Sequence, residues 1–171
     1  MRRGAQCPLL SRRTDDEART QFAVALAVAL AVASLSVAIA APASAGGRPF
    51  NVDLTGAAER PGPGDPDGSG TAQLWLNPGR GTVCYELSVS NITLPATGAH
   101  IHVAPATDPG PVVVPLTAPD ATGTSSGCVD ADRKLITAII RDPEGYYVNV
   151  HTLPLYGAGA VRGQLSRSAT H

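Results

Sequence analysis

Lysine is nearly missing from this chain: one stands beside twelve arginines in 171 residues. Aromatic side chains are scarce as well, with one Trp, four Tyr and two Phe, and there are only four histidines and three cysteines. Each shortage removes a class of function. Without a clustered basic face there is no nucleic-acid footprint, and without a basic amphipathic segment nothing marks a membrane-surface helix. No CxxC pair is present, which argues against a cysteine-built zinc or copper site. Neither a Ser-His-Asp order, nor paired acids in a pocket-like context, nor a phosphate-cradling glycine loop occurs, so no common enzyme class is indicated. There is no internal repeat.

What is there begins with an uncharged apolar run, FAVALAVALAVASLSVAIAA (22–41), preceded by five arginines and followed by Ala43-Ser44-Ala45. Charged start, apolar middle and small-x-small close are the marks of a secretory signal peptide. The expectation is a cleaved leader over 1–45 and a single domain over 46–171, with its core in 48–166. Twenty apolar residues are also long enough for an uncleaved anchor, but this run is built mostly of alanine and valine and ends in a cleavage box. Ser11-Arg12-Arg13 resembles part of a twin-arginine signal, although Asp15, Asp16 and Glu17 follow at once. Cys7 lies well before the run, whereas a lipoprotein needs a cysteine just after it. From Gly46 onward the chain has 126 residues, with 8 basic and 11 acidic side chains, enough for one core. Beyond the leader no membrane span is expected. Two cysteines then remain, Cys84 and Cys128. In an oxidising compartment the pair reads as a disulfide, the alternative being two buried thiols.

Glycine and proline punctuate the rest every eight to twelve residues. FNVDLTGAAE (50–59), TAQLWLN (71–77), TVCYELSVS (82–90), GAHIHVA (98–104), VVVPL (112–116), YYVNVHT (146–152) and AVRGQLS (160–166) read as short strands. Residues 61–70 and 118–127 read as loops. One helix is predicted over 131–141, with Asp130 as N-cap, an apolar stripe of Leu135, Ile136, Ile139 and Ile140, and Pro143 beyond its end. The pattern predicts an all-β sandwich or barrel with one short helix. In 82–90 Cys84 alternates with Glu86, Ser88 and Ser90 on the polar face, so its bridge is expected to tie a loop over the sheet. Asn91-Ile92-Thr93 is a glycosylation triplet, relevant only in a eukaryotic secretory route.

Alternation also places His100 and His102 on one strand face, and Tyr147, Asn149 and His151 on one face of another. If these strands are neighbours, His100, His102 and His151 approach one centre, and three imidazoles suit zinc or copper. Histidines near strand ends also serve as hydrogen-bonded structure, and spacing alone leaves both readings open. His171 is a terminal residue. Arg162 lies between two glycines in GAVRGQL, which lets the backbone pack closely around it, and its guanidinium is expected to fork onto a carboxylate or loop carbonyls, with Gln164 bonding along the same face.

The run GAHIHVAPATDPGPVVVPL, then YYVNVHTLPLYGAGAVRGQLS, resembles the CHRD domain, a module named for chordin and found widely in secreted bacterial proteins. The resemblance covers nearly all of residues 48–166. It implies an immunoglobulin-like β-sandwich distantly similar to copper/zinc superoxide dismutases, in which an HxH pair and a later strand histidine hold copper. His100, His102 and His151 match those three. No histidine lies between 102 and 151 to act as a bridging ligand, the zinc-loop ligands are absent, and Arg162 is a poor match to an anion-guiding arginine. The leading expectation is therefore an exported, monomeric, non-catalytic module whose partner is an extracellular protein or envelope component, secreted or periplasmic. The second is a copper- or zinc-binding protein using the three histidines, with residual redox activity.

Overall fold

A computed structural model of the chain describes residues 46–167. The proposed leader and His171 lie outside the described residues. Eight strands form in chain order: β1 (Arg48–Thr55), β2 (Ser69–Asn77), β3 (Thr82–Ser90), β4 (Gly98–Val103), β5 (Val112–Leu116), β6 (Thr124–Asp130), β7 (Tyr146–Thr152) and β8 (Tyr156–Gln164). One helix, α1 (Arg133–Arg141), precedes β7. The strands hydrogen-bond antiparallel in the order β5-β4-β7-β8-β1-β2-β3-β6. Two four-stranded halves are joined where Thr55 of β1 registers with Arg162 of β8. The sheet curls into a nearly closed barrel around its apolar face. At the open seam between β5 and β6, the Ser125 hydroxyl donates to Thr117 O and the Thr117 N–H donates to the Tyr85 hydroxyl.

The period-two alternation anticipated for these segments produces the core. Phe50, Val52 and Leu54 of β1, Leu74 and Leu76 of β2, Val83, Tyr85 and Leu87 of β3, Ile101 of β4, and Val148 and Val150 of β7 all point inward and are buried. Helix α1 caps one end of this core with Ile136 and Ile139 buried and Leu135 and Ile140 partly so. No helix among the described residues is long and apolar enough to cross a membrane.

Three expectations are corrected. Residues 124–127 are not loop but the start of β6, an edge strand. Its Thr-Ser-Ser-Gly run has no alternating apolar signal because few of its side chains are buried. The helix N-cap is Asp132, whose carboxylate accepts from the Lys134 and Leu135 N–H groups, whereas Asp130 is the last residue of β6. Two of the helix's unpaired N–H groups are thereby satisfied. The Cys84–Cys128 disulfide exists, but it does not tie a loop over the sheet. Cys84 and Cys128 face each other in the β3–β6 ladder, and Cys84 is buried.

Candidate metal centre

Strands β4 and β7 are neighbours, which is the condition the three histidines needed. Their register sets His100 opposite Asn149, His102 opposite Tyr147, and Gly98 opposite His151. Gly98 carries no side chain, so the His100 and His151 rings meet above it. The ring centroids of His100 and His151 are 5.0 Å apart, those of His100 and His102 5.5 Å, and those of His102 and His151 6.2 Å. Each ring offers a nitrogen, and the three nitrogens lie within 4.8 Å of one another. Two ladder irregularities fall here. One separates Ile101 from His102 in the β4–β5 pairing, the other lies between Val150 and Thr152 in the β7–β8 pairing. Bulges re-aim side chains, and these two sit at the second and third histidines.

The ring nitrogens sort themselves by their partners. His102 Nδ1 lies 2.7 Å from Gly110 O, and His151 Nδ1 lies 3.0 Å from Gly157 O. A carbonyl only accepts, so both Nδ1 atoms carry the proton and both Nε2 atoms carry the lone pair in neutral rings. His102 Nε2 is buried with no hydrogen-bond partner, and so is His100 Nδ1. Orphaned ring nitrogens in a residue only 7% exposed, as His102 is, are costly unless something occupies them. Histidine ligands commonly donate their second ring N–H to a backbone carbonyl, which fixes tautomer and orientation. Burial, and then the neighbouring His151 and His102, depress the pKa of His100. Burial likewise depresses His151, opposed by its bond to Gly157. Both rings are therefore held in the neutral form that a metal requires.

The loop after β4 is clamped over this face. Arg162, only 1% exposed, donates to Asp108 O, Pro105 O and Gln164 Oε1. Its guanidinium carbon lies 3.4 Å from the centroid of the Tyr147 ring, and the His102 ring stacks on Tyr147 at 4.7 Å. Gln164 in turn donates to Ala104 O and Glu144 O. The Gly110 N–H donates to the Tyr147 hydroxyl, so Gly110 is held at both N–H and C=O. Arg162 forks onto loop carbonyls, one of the two anchors the sequence suggested. Its burial and its three hydrogen bonds to the loop and Gln164 do not suit an arginine that guides anions in from solvent.

Glu59 is the group that sequence reasoning missed. It follows β1 in the short turn Gly56–Ala58 and is 3% exposed, with Oε1 lacking a partner. Gly159 makes room for it: a Cβ there would collide with the Glu59 carboxyl, and its φ of +150° is one that side-chain-bearing residues rarely adopt. Nothing in GAAER marks Glu59, because its neighbours come from β7 and β8 far along the chain. Burial raises its pKa from 4.5 to about 7, opposed by a hydrogen bond from the Arg60 backbone, the Arg162 charge and the Asn149 side chain.

A raised carboxyl pKa means the folded chain binds more protons than the unfolded one between about 4.5 and 7. The contribution of Glu59 to stability is thus fully present below that window and is lost as pH rises through it. Glu59→Gln, which mimics the protonated acid, is expected to lie within about 1 kcal/mol of the parent at pH 5 and to gain on it by about a further 2–3 kcal/mol at pH 8. The depressed histidines slope the other way in both proteins and cancel in the difference. Urea melts at the two pH values check this, and an unchanged difference between them would refute it.

A family model for the CHRD domain matches residues 50–165. No curated protein matches the chain. The match runs from Phe50 in β1 past the end of β8, including the three clustered histidines and both disulfide cysteines, and the chain belongs to the CHRD domain family.

Proposed function

We propose that this chain is an exported CHRD module whose ligand is a single transition-metal ion, held by His100, His102 and His151, with copper(II) preferred to zinc. The observation that carries the reading is the pair of buried, unpartnered nitrogens, His100 Nδ1 and His102 Nε2, beside a third imidazole in the same cluster. Neutral imidazole suits both metals, and divalent copper is the stronger binder for nitrogen donors. His102 and His151 would each bind through Nε2, their Nδ1–H groups being committed to Gly110 and Gly157. Neither a carboxylate nor a thiolate joins the cluster among the described residues. The reading assigns binding and no reaction. Export rests on the leader-like run over 22–41 with its Ala43-Ser44-Ala45 box, and the disulfide is consistent with an oxidising compartment.

The test compares thermal melts of the parent and His102→Ala, with and without Cu²⁺ or Zn²⁺. A metal that binds only the folded chain stabilises it by about 2.7 kcal/mol at 100 times the dissociation constant. The parent melting temperature is expected to rise by several degrees, and the variant's to stay put. A purely structural role for the histidines gives the reverse pattern. Metal then changes nothing in the parent, and His102→Ala lowers stability by stranding Gly110 O.

A further inference from the structure

His151 differs from the other two rings. Its Nε2 is not free: the Asn149 side-chain amide lies on it, with Oδ1 placed 3.0 Å away. Since Nδ1 gives its proton to Gly157 O, a neutral ring can only accept at Nε2. The amide orientation that satisfies it is the one turned to present Nδ2. Asn149 is itself 2% exposed and cannot exchange this partner for bulk water. Its other end reaches Glu59, the buried carboxyl seated in the gap left by Gly159. Turned this way the amide presents its oxygen to Glu59, which donates to it when protonated, whereas a charged Glu59 accepts from the amide nitrogen only in the opposite orientation. The Glu59 carboxyl is faced by Arg162 from β8 and by Arg60 from its own turn.

We propose that Asn149 is an internal latch on the third ligand, occupying His151 Nε2 until a metal ion displaces it, with Glu59 holding the amide's far end. This rests on the three-histidine reading and deepens it. Metal entry exchanges one buried hydrogen bond for one coordination bond, so the latch weakens binding by what that hydrogen bond contributes. Asn149 is a positioning residue here, not a ligand.

Removing the latch is expected to tighten metal binding, and a residue with a merely structural role would not do so. Zinc affinity of the purified protein, measured by competition with a chromophoric chelator, is expected to improve about 2- to 10-fold in Asn149→Ala, the range of one net hydrogen bond. An affinity that is unchanged or weaker overturns the latch. Should Asn149→Ala fail to fold, Asn149→Thr serves the same comparison. The parent supplies an independent measurement: in a ¹H–¹⁵N spectrum, the Asn149 side-chain NH₂ pair is expected to shift on zinc addition, and a fixed pair overturns the proposal. If the parent binds zinc through His102 but Asn149→Ala does not differ, the latch fails and the site stands. If neither protein binds zinc or Cu²⁺, both readings fail. Binding by Asn149→Ala alone supports both.

Discussion

Arg162→Ala is expected to lower stability by about 3–5 kcal/mol, the range for breaking a buried charged network. The guanidinium is almost wholly buried, stacked on Tyr147, and donates to three acceptors. Truncation leaves Asp108 O, Pro105 O and Gln164 Oε1 without their charged donor. It also removes the cation that opposes the raised pKa of Glu59 and opens a cavity beneath the loop. Hydrogen bonds to charged groups contribute about 1.5–3 kcal/mol each, partly offset by the cost of burying the cation. Arg162→Lys keeps the charge but cannot fork onto two carbonyls, and is expected to fall between the parent and Arg162→Ala. Because Gly110 belongs to the clamped loop and accepts from His102 Nδ1, amide exchange at Gly110 is expected to accelerate in both variants. Denaturant midpoints measure the stability change. A loss below about 1 kcal/mol, the ordinary surface range, would mean the loop is held by other contacts.

Removing the disulfide as Cys84→Ala with Cys128→Ala is expected to cost about 3–4 kcal/mol, on chain-entropy grounds for a loop of this length. The sequence separation is 44 residues, and the tertiary setting makes most of that value available. β6 is an edge strand whose Thr124, Ser126, Gly127 and Cys128 are all exposed. Among its side chains only Val129 packs against the core. Beyond the β3 ladder and the Ser125 hydroxyl bond, little else holds the strand. Hydrogen exchange over 124–130 is expected to approach that of an unprotected segment in the variant, while β7 and β8 remain protected. In exported protein the parent should show an intact mass beginning at Gly46 and no free thiol after denaturation without reduction. Two labelled thiols, or a mass that includes residues 22–41, would count against the exported, disulfide-bonded form.

Much of this architecture was legible in the sequence, wherever one strand face is apolar and the other polar. TVCYELSVS and YYVNVHT form strands with the bounds read from alternation, and VVVPL with the bounds read from its flanking turns. The reason is that burial of one face is a local, period-two property. The same rule put His100 and His102 on one face and Asn149 and His151 on another. It could not detect β6, where neither face is apolar enough to show a period, nor choose between Asp130 and Asp132 as helix cap. That choice depends on where the edge strand ends.

Tertiary structure alone decided the chemistry of the cluster. Pairing of β4 with β7 brought His151 to the other two rings, and the ladder irregularities and the loop carbonyls of Gly110 and Gly157 selected which nitrogens carry lone pairs. Glu59 reaches Asn149 only because β1 closes against β8 at Thr55 and Arg162. Their contact spans 90 residues of chain. Residue type and spacing set which face a side chain takes, whereas its partners come from strands brought together by the whole core, and no local pattern encodes them.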